Sequence, residues 1–183
     1  MSMATEVEVK ILDVDPQEIA AKMEALGAEK VSEERLIVDW FRPADCENDD
    51  ASRWFLRVRE SSVGKNEATW KSKTASLDGA RVHEEINLAI DDAEKARQFF
   101  DALGFPRAGH QEKDRITWTK DEWVFCLDTY PGMPSWLEIE GRDGAHIREA
   151  VALLGLEGHE SLVEGERVAI STKYGLDWYD MRF

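Results

Sequence analysis

Charged side chains recur two apart along this sequence: Glu6, Glu8 and Lys10; Arg57 and Arg59; Lys71 and Lys73; Arg81, His83 and Glu85; Lys113 and Arg115; Glu138 and Glu140. Asp128 stands in the same alternation, opposite Phe125 and Leu127. In an extended strand, residues two apart point the same way, about 7 Å apart along the chain. Each group therefore presents its charges on one face. Six acids (Glu6, Glu8, Glu85, Asp128, Glu138, Glu140) and eight bases (Lys10, Arg57, Arg59, Lys71, Lys73, Arg81, Lys113, Arg115) hold positions that ordinary exposed strands fill with Thr, Ser and Gln. One such strand reads as a solvated sheet face. If the whole set turns inward, it lines a wet interior with opposed charge, because each desolvated charge needs a partner. The chemistry that fits is a polyphosphate with a divalent metal. Arginine and lysine grip phosphate oxygens, arginine often in bidentate fashion. Clustered carboxylates take magnesium or manganese, which prefer oxygen ligands. A metal bridging phosphate oxygens offsets the charge that develops in phosphoryl transfer. The number of cations suits a triphosphate better than a monophosphate.

The elements that must position these residues follow from periodicity. Period-two alternation predicts eight strands, at Thr5–Leu12, Arg35–Phe41, Arg53–Glu60, Ala68–Thr74, Arg81–Ile90, Lys113–Lys120, Trp123–Thr129 and Ser135–Glu140. Polar, Gly- and Pro-bearing segments separate them. A helix is expected after Asp15, with Pro16 at its first position, Ile19, Met23 and Leu26 on its face and Gly27 as its stop. A second starts near Asp91-Asp92, buries Ala96, Phe99, Phe100 and Leu103, and stops at Gly104. A third runs from about Ala145 to Leu154, and a short one lies near Glu166–Tyr174. Strand, helix, Ala-Leu-Gly, strand occurs twice, at Glu6–Trp40 and His83–Trp118, as a duplicated β-α-β unit would.

Composition narrows the function. The chain has 183 residues, 43% hydrophobic and 33% charged, which is ordinary for a globular domain. Its 38 acidic and 23 basic side chains give a net charge of −15. That excess excludes a general nucleic-acid binder and docking on an anionic membrane. Between Arg53 and Arg81, however, seven bases meet three acids, a local net charge of +4 that marks an anion site. No apolar run approaches the roughly 20 residues of a membrane span. The start, Met1-Ser2-Met3-Ala4-Thr5-Glu6, lacks the features of a signal peptide. Two cysteines, Cys46 and Cys126, make neither a disulfide framework nor a cysteine zinc site, so a cytoplasmic location is expected.

In this order the residues resemble the CYTH superfamily, the class IV adenylyl cyclase and thiamine triphosphatase family of triphosphate tunnel enzymes. Glu6-Val7-Glu8-Val9-Lys10 is similar to the family's E-x-E-x-K signature, and Leu56-Arg57-Val58-Arg59, Trp70-Lys71-Ser72-Lys73, Lys113-Asp114-Arg115, Cys126-Leu127-Asp128 and Leu137-Glu138-Ile139-Glu140 follow in family order. The resemblance implies one α+β domain over residues 1–183, an eight-stranded antiparallel β-barrel forming an open tunnel with helices packed outside. It implies that Glu6 and Glu8, joined by Glu85, Glu138, Glu140 and Asp128, hold Mg2+ or Mn2+. Lys10, Arg57, Arg59, Lys71, Lys73, Arg81 and Arg115 would grip the triphosphate, and Lys113 would either activate the attacking water or act as one more clamp. Two positions depart from the family. Trp40 and Phe41 fall where relatives often carry a tyrosine, and Asn87 where a second glutamate often follows Glu85.

The remaining residues read as structural. His83 is expected on the tunnel face, and His110, His146 and His159 at the surface. Cys126 is a small wall residue, and Trp54, Trp70, Trp118 and Trp123 are core. Tyr174, Trp178, Tyr179 and Phe183 pack across the barrel or cap one mouth. The expected activity is metal-dependent hydrolysis of inorganic triphosphate, thiamine triphosphate or a nucleoside triphosphate. The alternatives are cyclisation of ATP to cyclic AMP and pyrophosphate, or binding without turnover. No nucleic-acid or membrane partner is expected, and the chain is a monomer or homodimer.

Overall fold

The computed structural model describes residues 4–44, 54–72, 75–77, 79–162 and 165–183. Lys73, Cys46 and Arg53 lie outside them. The elements in chain order are β1 (Ala4–Val14), α1 (Pro16–Leu26), β2 (Glu29–Phe41), β3 (Phe55–Ser61), β4 (Glu67–Lys71), β5 (Ala75–Leu77), β6 (Ala80–Ala89), α2 (Ala93–Ala102), β7 (Arg107–Lys120), β8 (Trp123–Thr129), β9 (Ser135–Glu140), α3 (Gly144–Leu153), β10 (Ser161–Leu162), α4 (Glu166–Thr172) and β11 (Asp180–Met181). Eight of these strands close an antiparallel barrel in the order β1-β9-β8-β7-β2-β3-β4-β6, with β6 returning to β1. They are the eight expected from the alternation. β2 and β7 run longer than expected, pairing from Glu29 opposite Thr119 to Phe41 opposite Arg107. The charge-dense Glu29–Glu34 stretch hides its period from the sequence. The short β5, β10 and β11 attach to β6, β1 and β7. The repeated unit is visible as β1-α1-β2 and β6-α2-β7, whose first strands pair with each other and whose second strands do likewise.

The helices start where capping chemistry places them. Asp15 accepts hydrogen bonds from the backbone N–H groups of Gln17 (2.8 Å) and Glu18 (2.9 Å). Gly27 closes α1 at φ 71°, a left-handed conformation that favours glycine. Asp92 and Asp143 cap α2 and α3 in the same way, accepting from Lys95 and His146.

The core has two sides. Outward-facing residues of β1, β8 and β9 (Val9, Ile11, Phe125, Leu127, Leu137, Ile139) pack under α1 and α3 against Ile19, Met23, Ile147, Ala150 and Leu154. Each such fully buried side chain contributes about 1.5–3 kcal/mol. A smaller cluster forms where α2 lies over β3 and β4, with Phe41, Val58 and Ala93 buried and Phe100 against them. Here the expected helix face holds for Ala96 and Phe100 and fails for Phe99 and Leu103. α2 turns Ala93, Ala96 and Phe100 inward, and Phe99 and Leu103 stand exposed, because the helix touches only the β3–β4 corner. Trp118 and Trp123 are core as expected, while Trp54 and Trp70 are only half-buried. Two histidines expected at the surface are buried as well. His110 lies on β7 with Nδ1 2.8 Å from Asp39, and His146 stacks on Trp123 at 4.5 Å.

The third cluster lies inside the barrel. Leu12, Leu36, Val38, Trp40 and Trp136 face inward at one end and pack with Tyr130 against Ala169 and Ile170 of α4, Trp178 and Met181. The C-terminal segment thus fills one mouth, so the tunnel is not open at that end. Asp13, at φ 56° beside a break in the β1–β9 register, anchors this plug by accepting from Tyr174 Oη (2.7 Å) and pairing with Lys173 (2.9 Å).

Candidate active site

The ladder registers decide which side chains meet. Glu8 lies opposite both Arg81 and Glu140, Lys10 opposite Glu138, and Glu6 opposite His83. Arg115 lies opposite Asp128, Lys71 opposite Glu85, and Arg57 opposite Thr69. Directly opposed residues share a face. Every candidate residue among those described therefore faces the same interior.

That interior is a chain of ion pairs. Lys10 bridges Glu8 (2.8 Å) and Glu138 (2.6 Å), and Arg81 also reaches Glu8 (2.9 Å). Arg115 grips Asp128 with two hydrogen bonds of 2.6 Å and reaches Glu138 at 3.2 Å. Lys113 donates to Asp128 (2.9 Å), and its ammonium lies 5.1 Å from the Tyr130 ring centre. Arg57 and Arg59 share Glu67, at 3.5 and 2.9 Å, and Arg57 also donates to Thr69. Lys71 contacts Glu6, Glu85 and His83.

Burial and crowding set the charge states. Burial opposes the charge on Lys10, but Glu138 and Glu8 overcome it and raise its pKa. Burial also opposes ionisation of Glu138, yet Lys10 and Arg115 hold its carboxyl well below the usual range. Asp128 is lowered by Arg115 and Lys113 against the same burial. Glu140 has no ion pair among the described residues, and burial with the nearby Glu6 and Glu138 pushes it up to about 8. Burial and Arg57 pull Lys71 down to about 8, and burial and Arg57 pull Arg59 down to about 10. Burial pushes the Cys126 thiol up to about 12.

Two groups of side chains have donor atoms within 4.8 Å of one another: Glu6, His83 and Glu85, and Cys126, Glu138 and Glu140. The carboxylates in both suit Mg2+ or Mn2+. Both oxygens of Asp128 pair with Lys113 and Arg115, and its side chain is 0% exposed. The sequence reading passed over Glu67, although its parity with Lys71 was visible, and over Glu166 on α4. The Glu166 carboxylate accepts from Tyr130 Oη (2.9 Å) and Trp178 Nε1 (3.3 Å). Despite burial, Lys113 and Lys10 keep its pKa low. The aromatic tail does cap a mouth, as Tyr174, Trp178 and Tyr179 in the inner cluster show, but no spacing in the sequence marks Glu166 as facing inward. Trp40, which with Phe41 falls where the resemblance predicts a tyrosine, donates from Nε1 to Gln111 (2.6 Å).

A charged, closed eight-stranded tunnel with helices outside defines the class. The chain belongs to the CYTH family: residues 4–159 match the CYTH domain. Proteins of this family bind triphosphate substrates, act as triphosphatases or adenylyl cyclases, and in general depend on a divalent metal. The chain is 28% identical over 138 residues to a provisionally named adenylate cyclase of Methanocaldococcus jannaschii, covering 74% of this chain and 75% of the relative. A protein of Pyrococcus horikoshii OT3 superposes with a TM-score of 0.70 at 26% identity, covering 85% of this chain and 94% of that one. A Hippeastrum protein, described as a provisional adenylyl cyclase with a dominant triphosphatase activity, has the same fold with a TM-score of 0.66 at 16% identity, covering 94% and 96% of the two chains. No helix among the described residues is long and apolar enough to cross a membrane.

Proposed function

We propose that the protein is a divalent-metal-dependent hydrolase of a triphosphate (inorganic triphosphate, thiamine triphosphate or a nucleoside triphosphate) bound inside the barrel. One observation carries this reading: Arg57, Arg59, Lys71, Arg81, Lys10, Lys113 and Arg115 converge on one interior together with Glu6, Glu85, Glu138 and Glu140. The cations grip the phosphate chain, with the arginines presenting forked donors to its oxygens. Arg57 Nε is buried without a partner among the described residues, so it can donate to a phosphate oxygen without breaking an existing bond. Glu6 and Glu85 with His83, and Glu138 and Glu140, would hold the metal. Bound Mg2+ or Mn2+ supplies neutralisation of phosphate charge. Attack of water on the terminal phosphorus breaks that atom's bond to the bridging oxygen, and the rest of the phosphate chain leaves. Lys113, beside Tyr130, either takes the water's proton as the neutral amine or, as the ammonium paired with Asp128, acts as one more phosphate clamp. The apolar plug excludes bulk water from that end. Glu8 and Asp128 hold Lys10, Arg81, Lys113 and Arg115 in place.

Cyclisation of ATP is the second reading, favoured by the adenylate cyclase name of the Methanocaldococcus relative. Product analysis separates the two. Inorganic triphosphate, thiamine triphosphate and ATP are supplied separately with Mg2+ or Mn2+, and phosphate, pyrophosphate and cyclic AMP are measured. Phosphate release supports hydrolysis. Cyclic AMP with equal pyrophosphate replaces it with cyclisation, and no product from any of the three overturns both.

A further inference from the structure

Three strands bring Glu6, His83, Glu85 and Lys71 to one point. Glu6 on β1 lies opposite His83 on β6, and Lys71 on β4 lies opposite Glu85 on β6. His83 is 3% exposed, and its Nε2 forms close contacts with Glu6, Glu85 (3.1 Å) and Lys71 (3.0 Å). Its Nδ1 is buried without a partner among the described residues. With no cation bound, the carboxylates of Glu6 and Glu85 favour a proton on Nε2; a dication that neutralised both would displace it and leave the Nε2 lone pair as a ligand. The centre of the cage is occupied by the Lys71 ammonium, 3.2 Å from Glu6 and also paired with Glu85. A positive charge between two carboxylates and an imidazole nitrogen occupies the position a cation would take.

We propose that Glu6, His83 and Glu85 form a mixed nitrogen–oxygen cation site that takes a first-row transition dication, such as Mn2+ or Co2+, in preference to Mg2+, and that Lys71 is its built-in stand-in. It rests on the reading above only in that the same tunnel admits a divalent ion. The selectivity comes from the ligand set. Mg2+ demands a rigid octahedron of oxygens, and imidazole contributes more to the transition metals. The Glu138–Glu140 group offers two carboxylates and the Cys126 thiol, with no nitrogen to contribute. The two groups thus differ in donor set, and only the first offers an imidazole nitrogen. A dication held there would displace the Lys71 ammonium and leave it free to take a phosphate oxygen. Filling the site and gripping the substrate become one event.

Pulsed electron paramagnetic resonance of the Mn2+-loaded full chain tests this by detecting nitrogen-14 coupled to the metal. The wild-type spectrum should show that coupling, and it needs no variant to be read. His83→Gln should remove it and weaken Mn2+ binding, measured by calorimetry, by about tenfold or more, while Mg2+ affinity changes by less than about twofold. Lys71→Met should tighten Mn2+ by about tenfold, since one like charge has been removed. Glu140→Gln should leave the nitrogen coupling in place. If Mn2+ binds without nitrogen coupling, the mixed site is overturned and the hydrolase reading stands on its carboxylates. If Mn2+ does not bind at all, both fall. Unchanged Mn2+ affinity in Lys71→Met overturns the stand-in role.

Discussion

Replacing Asp128 with asparagine should make the barrel less stable and its ligand more stabilising. Asp128 is 0% exposed and accepts two hydrogen bonds of 2.6 Å from Arg115, one of 2.9 Å from Lys113 and one of 3.4 Å from Trp136 Nε1. The amide would keep the shape and remove the charge that compensates two buried cations. Breaking a buried pair from one side costs about 3–5 kcal/mol. The lower figure applies here, because Arg115 retains Glu138 at 3.2 Å. For a chain of this length about 1 kcal/mol corresponds to roughly 2–4 °C in Tm, so Asp128→Asn should melt about 6–12 °C below the wild type at pH 7. The sign of the pH dependence is fixed by the lowered pKa of Asp128. A carboxyl depressed in the folded state contributes stability that is fully present above its ordinary value of 3.8 and is lost as pH falls through the folded value. The deficit of the variant should therefore shrink below pH 3.8. Inorganic triphosphate should raise the Tm of the variant more than that of the wild type, because phosphate oxygens replace the missing carboxylate. Thermal unfolding followed by circular dichroism, with and without triphosphate, reads all three quantities. A Tm within about 2 °C of the wild type, unaffected by pH, would refute the reasoning.

Other substitutions divide the interior by task. Arg59→Ala should weaken triphosphate binding by about 1.5–3 kcal/mol, the scale of a charge-assisted hydrogen bond, whereas Lys65→Ala in the exposed β3–β4 turn should leave calorimetric affinity unchanged. Equal losses would mean that net charge rather than a shaped site governs binding. Glu138→Gln should abolish turnover at ordinary Mg2+, with partial return at high Mn2+, in a phosphate-release assay; full activity across a Mg2+ titration would remove β9 from the metal site. Lys113→Arg keeps a cation that cannot give up its proton, so kcat should fall at least 100-fold with binding kept. Retained kcat would leave residue 113 as a clamp.

The barrel was legible because its period-two pattern is strict wherever one face touches α1 or α3: Val9 and Ile11, Phe125 and Leu127, Leu137 and Ile139 alternate with tunnel charges. Caps and stops were legible for the same local reason, Asp15 and Gly27 acting through their own backbone neighbours. Parity also gathered Glu6, Lys10, Arg57, Arg115 and Glu138 on one face. It could not say that the tunnel turns apolar at one end. Leu36, Val38 and Trp40 have the parity of Arg57 and Arg59 across the β2–β3 ladder, yet they are hydrophobic. A hydrophobic residue on a charged face reads as noise in a single strand. Its meaning depends on α4 and the Trp178–Met181 segment, more than 120 residues away, folding back over that end. Glu166 was hidden for this reason, and so was the exposure of Phe99 and Leu103, which a helical wheel places in a core that α2 reaches only at its corner.

The pairing of charges has a consequence for binding order. Lys10, Arg57, Arg59, Lys71, Arg81, Lys113 and Arg115 each already hold a carboxylate. A triphosphate cannot simply settle among free cations; it must compete for them with Glu6, Glu8, Glu67, Glu85, Asp128 and Glu138. Alone, it leaves buried carboxylates uncompensated, which is costly. A divalent ion alone meets the converse difficulty, since it must take carboxylates from the lysines and arginines. Bound together, the ion would neutralise Glu6, Glu85, Glu138 and Glu140 while the phosphates take the cations that these carboxylates release, so fewer charges are left without a partner. The two ligands should therefore favour each other, and linkage makes the effect equal in both directions. A coupling of about 1–3 kcal/mol, or 5–150-fold, is the usual scale. Calorimetry of triphosphate binding with and without Mn2+, corrected for the complex that the two form in solution, should show at least fivefold tighter binding, and the reciprocal titration the same factor. Independent affinities would mean that the ion pairs of the interior remain intact in the complex and that the triphosphate lies outside them.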